Sequence, residues 1–231
     1  MKNIIIFLLI FVAVSIPVWA QNDNELSPAE KDQGWVLLFD GKTSQGWQSN
    51  QGDQFPEKGW EIKDGELTVL PTVRGGDIIT TQAFENFELV IDFKFDKGAN
   101  SGIKYFIQKG SSIGCEYQIL DDANHPDANM GVNHCRQLGS LYDLLPTAEK
   151  TVNPVGEWNH ARIIVRDGHA EHWLNGGKLL EYDRFSPCFR QLIQHSKFKN
   201  EKDFATFKTG HILLQDHGDR VSFKNIKIRK L

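Results

Sequence analysis

The segment CEYQILDDANHPDA, residues 115–128, concentrates groups that can move protons or hold a ligand. Glu116 and Gln118 stand two apart, and Asp121, Asp122, His125 and Asp127 follow within a few positions. If residues 116–120 are extended, Glu116 and Gln118 share one face and Tyr117 and Ile119 the other. Tyr117 and Ile119 suit a core, so the carboxylate and the amide turn the opposite way. There Glu116 reads as a general base or metal ligand, or else as a surface carboxylate paired with a neighbouring strand. Asp121 follows the strand directly and is the best placed of the aspartates to reach a ligand. Asx residues ahead of Asn-His-Pro are also ordinary turn formers, so Asp121, Asp122 and Asp127 keep that second reading. His125, fixed in an extended loop by Pro126, faces either substrate or water.

Partners for these groups lie elsewhere in the chain. In NSGIKY, Lys104 opposes Ile103 and Tyr105 and offers a cation to the non-core face, or else reaches out to water. Gly102 beside it leaves room for a ring or marks an irregular strand. In GHILLQDHG, a continued strand would line up His211, Leu213, Gln215 and His217. Gln215 suits hydroxyl groups, and His217 suits proton abstraction, imidazole being the side chain that exchanges protons near neutral pH. An exposed turn at DHGD is the alternative. His172 in EHWLNG reads as a substrate contact or a satisfied structural histidine. Trp173, Trp47 and Trp60 read as sugar-stacking surfaces or core, and Tyr142 in GSLYDLL as a rim hydrogen-bond donor or plain packing. Glu116, Asp121, His172 and His217 have the donor types for a divalent cation, without any metal-binding helix or loop spacing around them.

The elements that must carry these residues are strands. In FELVIDFKF, Phe87, Leu89, Ile91, Phe93 and Phe95 alternate with Glu88, Asp92 and Lys94, the period of a half-buried strand. Asp64-Gly65 and Asn175-Gly176 each sit between alternating runs and predict tight hairpins. VSFKNIKI alternates with a slip near Asn225, as a bulge would produce. Only SPCFRQLIQHSKF has helical spacing, with Pro187 at its start. Many short strands joined by turn residues predict an all-β sandwich or barrel. Six Trp and fifteen Phe are enough to fill a wide core between sheets.

The bulk numbers set limits. Of the 231 residues, 1–20 read as a secretory signal peptide: Lys2, an apolar run from Ile4 to Val14, then Val18-Trp19-Ala20. Residues 21–33 read as a loose polar lead-in, and 34–231 as one domain. A periplasmic or secreted protein with no membrane insertion follows from that pattern. The formal net charge of −4 gives no basic footprint, which argues against nucleic acid as a partner. Cys115, Cys135 and Cys188 allow at most one internal disulfide, Cys115–Cys135 being the conceivable pair, or serve as three buried apolar side chains. Oligomeric state is left open.

GWVLLFDGKTSQGWQ, GGDIIT, NSGIKY, EYQILD, GEWNHARI, HWLNG and GHILLQDHG occur in this order. That ordered set resembles the 3-keto-disaccharide hydrolase family over essentially all of the chain from residue 34. The resemblance implies a concanavalin A-like jelly roll of two curved antiparallel sheets, with a carbohydrate groove on the concave side. It also implies activity on sugars whose C3 hydroxyl is already a ketone. Such a ketone acidifies the C2 hydrogen, and the C1 substituent can then leave by elimination. Glu116, His217 and Lys104 are the expected catalytic set, the lysine meeting the enolate oxygen. Gln118, Asp121, His125, Tyr142, His172 and Gln215 are the expected substrate contacts. No cofactor is required by this chemistry. Two other readings are a non-catalytic carbohydrate-binding module of the same fold and an ordinary glycosidase using Glu116 with Asp121.

Overall fold

A computed structural model describes residues 22–231; the segment read as a signal peptide lies outside them. Among the described residues, the strands are β1 (Val36–Leu37), β2 (Trp47–Ser49), β3 (Trp60–Lys63), β4 (Glu66–Val69), β5 (Ile78–Thr80), β6 (Phe87–Phe95) and β7 (Asn100–Ile107). They continue with β8 (Cys115–Leu120), β9 (Asn159–Arg166), β10 (His169–Leu174), β11 (Gly177–Asp183), β12 (His211–Leu214) and β13 (Val221–Lys230). The larger sheet runs β11-β10-β9-β6-β13-β4-β3, with β1 added beside β13, and the smaller runs β2-β5-β12-β7-β8. Every pairing is antiparallel. Of the sandwich and the barrel that the alternation leaves open, this is the two-sheet sandwich, as the family resemblance implies.

Period-two patterning decides which side chains enter the core. Phe87, Leu89, Ile91, Phe93 and Phe95 of β6 join one buried cluster with Ile103 and Tyr105 of β7 and Tyr117 and Ile119 of β8. Glu88 faces outward, clamped by Arg162 and Arg229 at 2.6–2.7 Å. Asp64-Gly65 and Asn175-Gly176 close the β3–β4 and β10–β11 hairpins, all four residues having positive φ, which suits Asn, Asp and Gly. The slip in β13 is a bulge between Lys224 and Lys227, with Asn225 at φ 51°.

Residues 22–33, read as a loose lead-in, form a defined structure. Asn24 and Asn225 exchange backbone-to-side-chain hydrogen bonds of 2.6 and 2.8 Å, so the bulge residue anchors the lead-in. A one-turn helix, α1 (Pro28–Asp32), follows with a Ser27–Glu30 capping box. A second α-helix, α2 (Pro187–Gln194), starts where its sequence predicts, with Ser186 as N-cap and Phe189 stacked 5.1 Å from Tyr182. Trp47 and Trp60 are core, their indole N–H groups donating to Leu38 and Gly76 carbonyls. All three cysteines are unpaired, Cys115 and Cys135 buried and Cys188 exposed on α2, so neither the disulfide nor three buried thiols is found. No helix among the described residues is long and apolar enough to cross a membrane.

Candidate active site

The outer face of the smaller sheet carries the polar residues that the alternation assigns to it. Lys104 and Glu116 are direct cross-strand partners on β7 and β8, and Gly102 pairs with Gln118 two residues along. Leu213 of β12 lies opposite Lys104. The β12 ladder stops at Leu214, but Gln215 still donates its N–H to Gly102 O at 3.0 Å. That bond extends the strand's side alternation far enough to bring Gln215 and His217 beside Lys104 and Glu116. His211 leaves the row at a register shift and is held at Thr80 O, 2.6 Å from its Nδ1.

These segments enclose a hollow of about 100 Å³ lined by Lys104, Glu116, Gln118, Tyr142, Gln215 and His217, with Asn100 and Lys197 completing it. Lys104 Nζ is 3.4 Å from Glu116 Oε2 and donates to Ser112 O at 3.3 Å. With its amide nitrogen facing Glu116, Gln118 donates to Glu116 Oε1 and to Ser101 O, both at 3.1 Å. Burial raises the Glu116 carboxyl above the ordinary range, and the attraction of Lys104 and Lys197 only partly offsets it. The same arrangement explains Gly102. A Cβ there would come within 2.3 Å of Glu116 Oε1, so the glycine makes room for the carboxylate rather than for a ring. Gln215 Oε1 is buried without a hydrogen-bond partner among the described residues, an acceptor open to a hydroxyl donor.

His217 occupies the rim, its side chain 43% exposed and its Nδ1 3.6 Å from Asp219 Oδ2. His125 stands beside it with ring centroids 6.3 Å apart, its own Nδ1 accepting from Asp127 N. Tyr142 forms a wall of the hollow, but its hydroxyl donates to Asp127 at 2.8 Å and is therefore not the free rim donor expected. Burial and that bond both raise the phenol's pKa. Asp127 is in turn held by Arg136 at 2.9 Å, and Arg136 also binds Asp143 at 2.6 Å.

Two expected substrate contacts are turned elsewhere. Asp121 accepts from Gly98 N, Asn124 Nδ2 and Ala123 N at 2.7–3.2 Å. Burial alone would raise its pKa, but these donors overcome that and lower it; the carboxylate is a loop cap. His172 is wholly buried between the sheets, with Nε2 2.8 Å from Tyr105 Oη and Nδ1 3.0 Å from Gly139 O. Burial pushes it down to about 4. Asp121 and His172 being held elsewhere, the four residues with donor types for a cation, Glu116, Asp121, His172 and His217, do not gather around one point, and Asp121 is not free to act with Glu116 as a glycosidase pair. Three other donors able to meet one ion, His169, Glu171 and Glu181, lie on the β10–β11 hairpin, away from this hollow. Trp173 is neither core nor sugar platform; its ring lies under Arg162 and Lys178.

Lys197 and Asn100 escaped the sequence reading. Asn100 begins the same strand as Lys104, and the period of two through Gly102 would have found it. Lys197 comes from the irregular segment after α2, where no periodicity exists to give its direction.

A family model described as a 3-keto-alpha-glucoside-1,2-lyase-like domain matches residues 34–229. A Bacteroides thetaiotaomicron protein named 3-keto-disaccharide hydrolase is 37% identical over 92% of this chain and 83% of its own length. A crystal structure from Parabacteroides distasonis, provisionally described as a glycosyl hydrolase, superposes with a TM-score of 0.81 at 34% identity, covering 91% of this chain and all of the other. The carbohydrate binding module CBM66 from Bacillus subtilis shares the fold alone, at a TM-score of 0.50 and 12% identity over 80% of this chain and 96% of its own. With matching order, sheet architecture and near-complete coverage, the chain belongs to the 3-keto-alpha-glucoside-1,2-lyase-like family.

Proposed function

We propose that this protein is a carbohydrate-active enzyme that cleaves glycosides whose C3 hydroxyl has been oxidised to a ketone. The names of its family model and of its Bacteroides relative support that substrate class. One observation carries the reading: an ammonium, a carboxylate and an imidazole from three separate segments, Lys104, Glu116 and His217, line one hollow.

The reaction follows from the ketone. His217 takes the C2 hydrogen as a proton, oriented by Asp219 as an acid–base imidazole usually is by a carboxylate. The C–H electron pair becomes the C2=C3 enolate, with its charge on the C3 oxygen beside Lys104. Collapse of the enolate forms a C1=C2 double bond and breaks the bond from C1 to the leaving oxygen. Glu116, whose burial favours the protonated form, gives that oxygen its proton. Release at this stage is a lyase outcome. Addition of water, hydroxyl to C1 and proton to C2, completes a net hydrolysis. Gln118 and Gln215 hold ring hydroxyls, and the steps need no resident cofactor. Export directed by residues 1–20 would put the reaction in the periplasm or outside the cell.

A binding module would rest on an exposed aromatic platform, whereas here Tyr142 is the one Phe, Tyr or Trp in the lining. The test is incubation with a 3-keto disaccharide and, separately, its unoxidised parent. Release of saccharide from the oxidised compound alone is expected; an untouched 3-keto substrate at high enzyme concentration would remove the proposal.

A further inference from the structure

The hollow contains one more cation than the reaction above uses. Lys104 Nζ has the Glu116 carboxyl group 3.4 Å away as its neighbour. Lys197 lines the same hollow, yet among the described residues its ammonium has no ion pair or hydrogen bond; it lies 4.1 Å from the centroid of the Tyr142 ring. Two ammonium groups beside a single carboxyl group leave a net positive site before any substrate enters, whether Glu116 holds its proton or not. Burial lowers the Lys197 pKa, Glu116 raises it, and Lys104 lowers it again, as expected of a cation beside a like charge.

The placement of Lys197 is built rather than incidental. Its backbone N–H donates to Asp143 Oδ2 at 2.7 Å. Asp143 is bound by Arg136, Arg136 by Asp127, and Asp127 accepts the Tyr142 hydroxyl. The wall of the hollow and the residue above it are thus tied through one network of charge-assisted bonds. In the same lining, Gln215 Oε1 is buried and unpartnered, which points to a ligand with hydroxyl donors in the hollow.

Resting on the function proposed above, we propose that Lys197 is a second catalytic cation, which contacts the ketone oxygen and selects the oxidised sugar over its C3 alcohol. A ketone oxygen accepts hydrogen bonds only and gains negative charge as the enolate forms. An alcohol gains none, so an unpaired ammonium fixed at that point favours the ketone, most of all in the transition state.

The experiment compares wild type, Lys197→Met and Lys197→Arg on a 3-keto disaccharide. It adds proton–deuterium exchange at C2 of the corresponding 3-keto monosaccharide, followed by NMR. Lys197→Met is expected to lose roughly 100-fold in kcat/KM, mostly in kcat, and to slow the exchange comparably. Lys197→Arg should recover part of both, while circular dichroism stays native. A Lys197→Met enzyme within about three-fold of wild type in both assays would overturn the role. So would a sugar mass left on Lys197 after borohydride reduction, because the amine would then be a nucleophile rather than a fixed charge. A wild type inactive on the ketone would defeat the underlying proposal itself, which separates the two failures.

Discussion

At the scale of single residues, burial and partners decide which groups are free to act. Glu116 and Asp121 are both buried carboxylates five residues apart, yet one faces a lysine in a hollow and the other is held by three N–H donors. Glu116→Gln should therefore lower kcat/KM by about 10²–10³ on a 3-keto glycoside, and His217→Ala by about 10²–10⁴. Asp121→Ala should instead cost about 2–3 kcal/mol in urea unfolding, with less than a ten-fold change in turnover. Steady-state rates and denaturation curves of the same three variants separate these outcomes. Gly102→Ala is a sharper probe of placement. Its methyl group would displace the Glu116 carboxylate, so activity should fall at least ten-fold with a modest stability loss. Unchanged turnover in Gly102→Ala would show that this carboxylate position does not matter.

At the scale of elements, the alternation in NSGIKY and CEYQIL is enough to put Lys104, Glu116 and Gln118 on the outer face, because Tyr105, Tyr117 and Ile119 are too apolar to be left in water. The hairpin residues and the bulge at Asn225 were readable for the same reason: local backbone conformation selects Asp, Asn and Gly directly. Side-chain partners distant in the chain were not readable. Period two puts His172 on the inward face of β10, but only the packed sheets reveal that Tyr105 and Gly139 satisfy it. The hydroxyl of Tyr142 is taken by Asp127 through a loop whose shape no pattern specifies. Lys197 belongs to the same class of omission, since a segment without periodicity gives no direction to its side chains.

At the scale of the molecule, the smaller sheet carries the hollow on one face and an apolar core on the other, and His172 makes that core sensitive to acid. Its folded pKa is about 4 against 6.5 for the free side chain. Between those values the unfolded chain binds a proton that the folded protein refuses, so this contribution to stability is complete above about pH 6.5 and is lost as pH falls toward 4. The total is about 3 kcal/mol, of which about 2 kcal/mol should be gone at pH 5. Urea midpoints of wild type and His172→Gln at pH 7.5 and 5 measure it, and equal pH dependence in the two proteins would refute the assignment. Two sheets joined over one aromatic core were legible from composition and period; the charge balance of the hollow became visible only when β7, β8, the segment after β12 and the segment after α2 were brought together.

The most direct test follows the hydrogen at C2. A 3-keto glycoside deuterated at C2 and cleaved in ordinary water should lose its label at the rate of bond cleavage, with a primary isotope effect of about two or more on kcat/KM. Cleavage that leaves the deuterium in place and shows no isotope effect would contradict proton abstraction by the groups around Lys104, Glu116 and His217.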